Sequence, residues 1–581
     1  MQTLIYRFRS ILEKVRYQLA GTQGSLLLTL LGLVTGILAA VIIILFRLLI
    51  ETIQALLLPG SNPENYEALS YLDRFAFTTT GGVILAIVVL LLSRSATRVG
   101  IIHVLERLSY HEGHLPFKNA FTQFFGAAIA IISGQSVGRE GPAIHLGAAA
   151  GSLLGQEMRL PNNSIRNLVA CGAAGAIAAS FNTPLAGVVF AMEVIMMEYT
   201  IAGFLPVIIA AVSATAINRL VFGDFPAFIV PALQMNSIWE LIPILLLGVA
   251  VGCVAALFIN GMRFVTRLGQ KISYWARLLV AGISVGIIAL VCPQVMGIGY
   301  DTVNAALDGN IAIGLLVLII VTKLLATMLS IGLGVPGGLI GPVLFIGCLC
   351  GSFFGAILEA LPFSNSDTGF YAMLGMGAMM GATLQAPMAA LLALLELTGN
   401  QNIIFPGMLA IVSANLAARE MFGSKSIYLS QMHELGLDYR NDPVAQSLRR
   451  IGVTAVMNTR FAIVQPEITR EQAASILKDE PQWLVISRKD SNLLMPAADL
   501  SRFTQSKDKD RIIMTEIPAK RLELAPVPQQ ATLEQARKIL DESDAEALYV
   551  ITPLGHSADR IFGIITRQDI EARYHHHAGP A

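Results

Sequence analysis

Apolar runs of bilayer length, separated by short polar breaks, occupy the chain from Leu26 to Leu416. The first, 26–50, is interrupted only by Arg47 and is long enough to span a hydrocarbon core as a helix. A polar loop over 51–75 follows, and a second span near 75–92 ends at Arg94 and Arg98. From 117 to 200 the runs shorten and fill with glycine and alanine, at 120–132, 142–158, 167–179 and 184–197. Such lengths predict half-spanning or tilted helices whose broken ends meet inside protein, because irregular backbone cannot face lipid. More ordinary spans return at 205–217, 241–258, 278–291 and 311–330. Segments 343–357, 373–382, 387–397 and 405–416 complete the series. Beyond residue 440 the pattern changes to two similar soluble modules, 458–500 and 525–570. Each has an amphipathic helix, a β-rich apolar run, a charged turn, another strand and a terminal helix. Thr469 with Gln472, and Thr532 with Gln535, fit capping boxes, and the charge run 505–515 reads as a solvated loop.

Two stretches of the apolar part recur. GREGPAIHLGAAAGSLLG (138–155) returns as GLIGPVLFIGCLCGSFFG (338–355), with Gly138, Gly141 and Pro142 matching Gly338, Gly341 and Pro342. GAAGAIAASFNTPLAGVVFAME (172–193) returns as GMGAMMGATLQAPMAALLALLE (375–396), with Asn182 matching Gln385, Pro184 matching Pro387 and Glu193 matching Glu396. Halves that repeat a Gly/Pro-interrupted hydrophobic segment point to a transporter-like site between them.

Charge divides the chain in the same way as hydropathy. Residues 441–581 carry 37 Asp, Glu, Lys and Arg residues and the first 440 carry 43, so a membrane-embedded part precedes a soluble one. Net charge is zero, which gives no footprint for a nucleic-acid partner. The five cysteines lie in apolar surroundings and read as small hydrophobic fillers. Residues 1–20 carry Arg7, Arg9, Lys14 and Arg16 without a small-residue cleavage site; they predict a retained cytoplasmic helix. YHHH at 574–577 reads as a frayed polar tail rather than a metal site. Nothing in the membrane part pairs a nucleophile with a base, so the chain does not read as an enzyme.

The chemistry concentrates where the repeat is broken. Gly138, Gly141 and Pro142, and their counterparts near 340, mark helix starts whose free N–H groups and dipole attract anions without net positive charge. Two such ends aimed at one midplane point would hold an anion without trapping it. Glu140 lies in the first of them. A carboxylate there occupies the anion's place and leaves on protonation, which makes it a candidate gate. Arg139 beside it is a candidate anion ligand or a structural counter-charge. Glu193 and Glu396 each follow a helix-starting proline by nine residues, and two readings stand: they cap neighbouring helices, or they take part in ion movement. Lys323 within 311–330 either snorkels or serves the site.

GREGP at 138–142 and the second GxxxP at 338–342 resemble the CLC family of chloride channels and proton/chloride exchangers, over about residues 20–435. The tail resembles a tandem CBS-domain pair. The resemblance implies an all-α polytopic membrane fold of two inverted repeats with partly broken helices, followed by an α/β CBS pair. The corresponding divisions are 1–22, 23–435, a linker 436–457, and modules 458–505 and 515–581. It implies Glu140 as the external gate, Gly338, Leu339, Ile340 and Gly341 as the second filter segment, and Tyr428 as the hydroxyl closing the cytoplasmic side. Ile340 stands where the family usually has phenylalanine. The family's GSGIP segment is replaced around Val99 and Gly100 by VGII, which removes a serine hydroxyl and a proline. Exchangers commonly carry a second glutamate after the one matched by Glu193; here Val194 stands there. Thr566 and Asp569 match the residues that hold an adenine nucleotide's ribose in CBS modules, although Thr and Asp at such a turn also simply cap a helix.

The resemblance therefore implies a gated chloride channel that needs no cofactor, with chloride as the transported ion and adenine nucleotide as a candidate ligand of the tail. It further implies a homodimer in a bacterial inner membrane with both termini cytoplasmic. A proton/chloride antiporter is the alternative within the family. A CBS-regulated transporter of another ion is the more distant one, disfavoured because a cation path needs more acidic groups than Glu140, Glu193 and Glu396.

Overall fold

The computed structural model describes residues 13–575 apart from 14, 22–24, 62, 94, 200, 225–227, 229–234, 236, 361–366, 438–442, 489–490, 507–509, 544 and 552–560. The expected helix at 1–22 and the histidines at 576–577 fall largely or wholly outside the described residues. The chain forms two compact units. One comprises Leu28–Gln156 and Arg166–Tyr439; the other comprises Arg440–Ala581 together with Met1–Leu27 and Glu157–Ile165.

The first unit is helical. Among the described residues, nine helices are long and apolar enough to cross a bilayer, from Ser25–Leu57 to Gln401–Met421. Most helices outrun the apolar stretches that signalled them. Ser25–Leu57 takes in Glu51 and Gln54, and Leu241–Gly269 takes in Arg263 and Arg267. Polar residues at these ends find partners: Gln54 donates to Tyr66 Oη at 2.8 Å, and Arg263 and Arg267 bind Glu434. Asn162–Phe181, read as a short segment, is a full 20-residue helix. Its alanines and glycines let it pass through protein, and 94% of its most apolar window is buried.

The matched segments share local conformation. Each first copy begins where a helix (Phe117–Ile132; Ile313–Gly332) ends in a glycine with positive φ, Gly134 or Gly334. The chain then bends at Ser136 or Pro336 to reach Gly138 or Gly338 and starts the helices Glu140–Glu157 and Ile340–Glu359. Asn182 and Gln385 both adopt left-handed backbone, at φ 61° and 56°, immediately before the helices that start at Pro184 and Pro387. Packing repeats too. A Cβ on Gly147 or Gly172 would collide with the other's carbonyl oxygen, and the same holds for Gly347 and Gly375. These helix pairs are thus in backbone contact, the packing that small residues permit between membrane helices.

The second unit carries a six-stranded sheet in the order β1-β3-β4-β6-β7-β8. Its strands are β1 (Phe461–Val464), β3 (Trp483–Ser487), β4 (Asn492–Pro496), β6 (Leu522–Pro528), β7 (Ala547–Ile551) and β8 (Ile561–Thr566). Each module contributes a parallel pair followed by an antiparallel one. Both capping boxes form, at Thr469/Gln472 and Thr532/Gln535. The charge run 505–515 is not merely a solvated loop. Arg511–Ile513 forms β5, antiparallel to β2 (Glu467–Thr469), because Ile512 and Met514 bury themselves between the charges.

The glycine contacts generate a test. Gly172→Ala forces two helices apart where no side chain can yield, and overpacking of this kind costs about 1–3 kcal/mol. The purified protein is expected to melt at lower temperature in detergent, whereas alanine at Gly314, which has open space around it, leaves melting unchanged.

Candidate functional site

The two helix starts meet each other. Gly138 and Gly338 form an antiparallel bridge, each N–H donating to the other's carbonyl at 2.8 Å. A Cβ on Gly141 would lie 2.7 Å from Gly338 Cα, and one on Gly338 would lie 2.5 Å from Gly141 N, so glycine alone permits this approach. Helices 140–157 and 340–359 therefore present their N-terminal N–H groups around one buried point.

Glu140 is fully buried at that point. Its Oε2 accepts from Gly341 N–H at 3.1 Å and its Oε1 accepts from Tyr300 Oη–H at 2.9 Å. The carboxylate of one repeat thus sits on the helix N-terminus of the other, standing in for an anion in the field that an anion would seek. Gly141, Leu339 and Ile340 surround the same crossing, all buried. Tyr428, on the helix Ile427–Glu434, is also buried, and its hydroxyl has no hydrogen-bond partner among the described residues.

Other sequence candidates are placed differently. The Arg139 guanidinium lies 3.6 Å from Glu51 Oε1 and 5.4 Å from the Tyr300 ring centroid, and it also interacts with Glu140 and Glu64. Val99 caps the helix Gly100–Tyr110 without a side-chain bond, and Gly100 has φ 84°. The Gly100 N–H donates to Gln123 Oε1 at 2.6 Å, so an amide oxygen serves this helix start. Lys323 neither snorkels nor faces the crossing. It is buried and donates to the Val295 and Gly297 carbonyls at 3.1 and 3.0 Å, which fixes the turn before Tyr300.

The paired glutamates exchange caps. Glu193, in a π-helical turn over Ala191–Met196, accepts from Ala389 N–H at 2.7 Å and Met388 N–H at 3.4 Å. Glu396 accepts from Ala186 N–H at 2.8 Å and Leu185 N–H at 3.0 Å. Each carboxylate serves the proline-started helix of the other repeat. Val194 beside Glu193 borders a cavity of about 510 Å³ lined also by Gln385, Arg419, Lys425 and Leu429. In the second unit Thr566 and Asp569 bind each other. Asp569 Oδ2 accepts from the Thr566 N–H at 2.8 Å and hydroxyl at 2.7 Å, at the start of the helix Arg567–His575.

Tyr300 is the site residue that the sequence reading missed. The GIGYD stretch signals only a turn, and its hydroxyl reaches Glu140 across 160 positions of chain. Gln123 was missed for the same reason, being one polar residue on an apolar helix.

A buried carboxylate held on a facing helix start, within a multi-pass helical unit, defines an ion-transport membrane protein with broken helices. The family model for voltage gated chloride channels matches residues 81–419, and the chain belongs to that family. It is a bacterial, multi-pass membrane protein and not an enzyme. A ClcB-like protein of Ralstonia nicotianae is 32% identical over 372 residues, covering 62% of this chain and 86% of the relative. The H+/Cl− exchange transporter ClcA of Vibrio cholerae is 33% identical over 325 residues, covering 54% and 68%. In fold the chain is similar to a slow cyanobacterial Cl−/H+ antiporter, with TM-score 0.61 and 24% identity over 72% of this chain and 98% of that one. A eukaryotic CLC transporter matches over 93% and 97%, with TM-score 0.60 and 19% identity.

The helix bearing Tyr428 is tied down at its far end. The hydrogen bond from Arg267, opposed by burial and aided by one from Arg263, holds the Glu434 carboxyl below its ordinary value. A depressed carboxyl stabilises above its unfolded value, about pH 4.3, and loses that contribution as pH falls through the folded value. Glu434→Gln is therefore expected to melt below wild type at pH 7, and the gap is expected to close as pH falls below about 4.

Proposed function

We propose that the protein is a proton/chloride antiporter in which Glu140 is both the gate and the proton-accepting group. The observation that carries this reading is the Glu140 carboxylate bound to Gly341 N–H. An ionised carboxylate and a chloride ion compete for the same donors, and protonation removes the carboxylate's claim. Each proton taken up thus admits an anion. The exchange activity named for ClcA favours the antiporter over the channel anticipated from Val194. Val194 supplies no titratable group, but the 510 Å³ cavity at its side can admit water, and water conducts protons where a side chain cannot. Glu193 is assigned to capping, given its two backbone donors.

The chloride site comprises the backbone at Gly138, Gly141, Leu339, Ile340 and Gly341 with the Tyr428 hydroxyl. Val99 contributes backbone alone, and at Gly100 an anion would compete with Gln123 for the N–H. The antiparallel Gly138–Gly338 bridge and the exchanged glutamate caps support two inverted repeats related by an internal two-fold. We further propose a homodimer in the inner membrane, both termini cytoplasmic, with the C-terminal α/β unit as a CBS-like pair. The mutual bonds of Thr566 and Asp569 favour helix capping over nucleotide binding there.

Two measurements in proteoliposomes test this. At fixed chloride, changing pH alone is expected to displace the reversal potential; a potential that follows the chloride Nernst value at every pH would establish a channel instead. Wild-type flux is expected to rise on external acidification and Glu140→Gln flux to be independent of it. A full pH response in the variant would remove Glu140 from the gate.

A further inference from the structure

We propose that Tyr300 is a positioning residue that latches the gate: its hydroxyl holds the Glu140 carboxylate on the helix start of the second repeat and so sets how acid the outside must become before the gate releases. The inference rests on the gating role of Glu140. Its own basis is the construction around the phenol. Tyr300 opens the helix Tyr300–Leu307, with Gly299 before it at φ 82°, a backbone turn that aims the ring inward. The ring has two neighbours and the backbone a third. Phe228 meets it edge-on at 5.2 Å, the Arg139 guanidinium lies over it at 5.4 Å, and its own N–H donates to Glu64 Oε2 at 3.4 Å. Lys323 fixes the preceding turn through the carbonyls of Val295 and Gly297. A hydroxyl so supported has one acceptor to serve, and that is Glu140 Oε1 at 2.9 Å.

The physical consequence is directional. A phenol O–H donated to a carboxylate favours the ionised form, which is the form that blocks the anion's place. Gly341 N–H supplies the other donor. Glu140 thus has one fixed backbone donor and one side-chain donor, and only the second can be changed without disturbing the helix start. The charged and titratable groups around the bond come from every neighbouring element. They are Arg139 on the same helix start, Glu51 and Arg47 on Ser25–Leu57, and Glu64 in the following loop. Asp301 adjoins Tyr300, Lys323 lies on Ile313–Gly332, and Tyr428 lies on Ile427–Glu434. Arg47 and Arg139 share the single Glu51 carboxylate, and Arg139 also acts on Glu140 and Glu64, so the phenol is the neutral donor to the gate beside a nearby cation.

The test compares chloride flux against external pH in proteoliposomes for wild type, Tyr300→Phe, Glu140→Gln and the double variant. Tyr300→Phe keeps the clamped ring and removes only the oxygen. Its acid-activation midpoint is expected to move about 1–2 pH units upward, the size expected when a hydrogen bond to a charged group is lost, with higher flux at neutral pH. Fluorinated tyrosine incorporated at 300, a more acidic and stronger donor, is expected to move the midpoint downward, which guards against a folding defect in the phenylalanine variant. In the Glu140→Gln background the substitution is expected to have no pH effect. A Tyr300→Phe curve that overlays wild type overturns the latch, as does a shift that persists without the Glu140 carboxylate. Failure of the gate itself reads out separately, as a pH response retained by Glu140→Gln alone.

Discussion

The structure depends on two backbone hydrogen bonds between Gly138 and Gly338. They bring two helix N-termini together where side chains would keep them apart, and the field of those ends helps make a buried anion tolerable. A carboxylate at membrane depth is costly when alone. Here Gly341 N–H and the Tyr300 hydroxyl give it one donor for each oxygen. Dipoles thus share the stabilisation of this charge with the nearby Arg139 guanidinium.

Duplication supplies the scaffold, and its imperfection supplies the chemistry. The halves agree in the glycines that bridge, the left-handed residues Asn182 and Gln385, the helix-starting prolines and the exchanged glutamate caps. They differ at the residue after the bridge. Glu140 stands in one half, Ile340 in the other, so one repeat carries the titratable group and the other offers the empty helix start that receives it. A symmetric pair of glutamates would place two carboxylates at one point, and like charges there would keep one of them protonated.

The broken helices, the repeat and Glu140 were legible because glycine, proline and a lone carboxylate in an apolar run are strong local signals. Helix ends were less so, since Glu51, Arg263 and Arg267 look like terminators until their partners Arg47 and Glu434 are seen. The β5 strand was hidden within a charge run because two apolar residues, Ile512 and Met514, decide its pairing. Tyr300 and Gln123 were not legible. Their significance lies in acceptors and donors brought from distant segments, Glu140 in one case and Gly100 in the other, and spacing along the chain carries no trace of that. Arg139 stands beside Glu140 in sequence, and its guanidinium reaches Glu51 as well, which fits the counter-charge reading.

The absence of a carboxylate at Val194 bears on coupling through geometry rather than through residue type. A proton wire is needed only as far as the group that titrates, and the last part of any route from the cytoplasm can be water if protein walls admit it. The cavity beside Val194 is lined by polar residues, among them Glu193, Gln385, Arg419, Glu420 and Lys425, and by apolar ones, Met197, Leu384 and Leu429. Its two cations are offset by two carboxylates, Glu193 and Glu420, so the lining carries both signs of charge. What separates anion from proton is the crossing of the two helix starts, where an ionised Glu140 and a chloride ion require the same N–H groups. Under the proposed antiport, exchange follows from exclusion at one site, and a dedicated relay affects the rate of proton delivery more than the stoichiometry of what the gate allows.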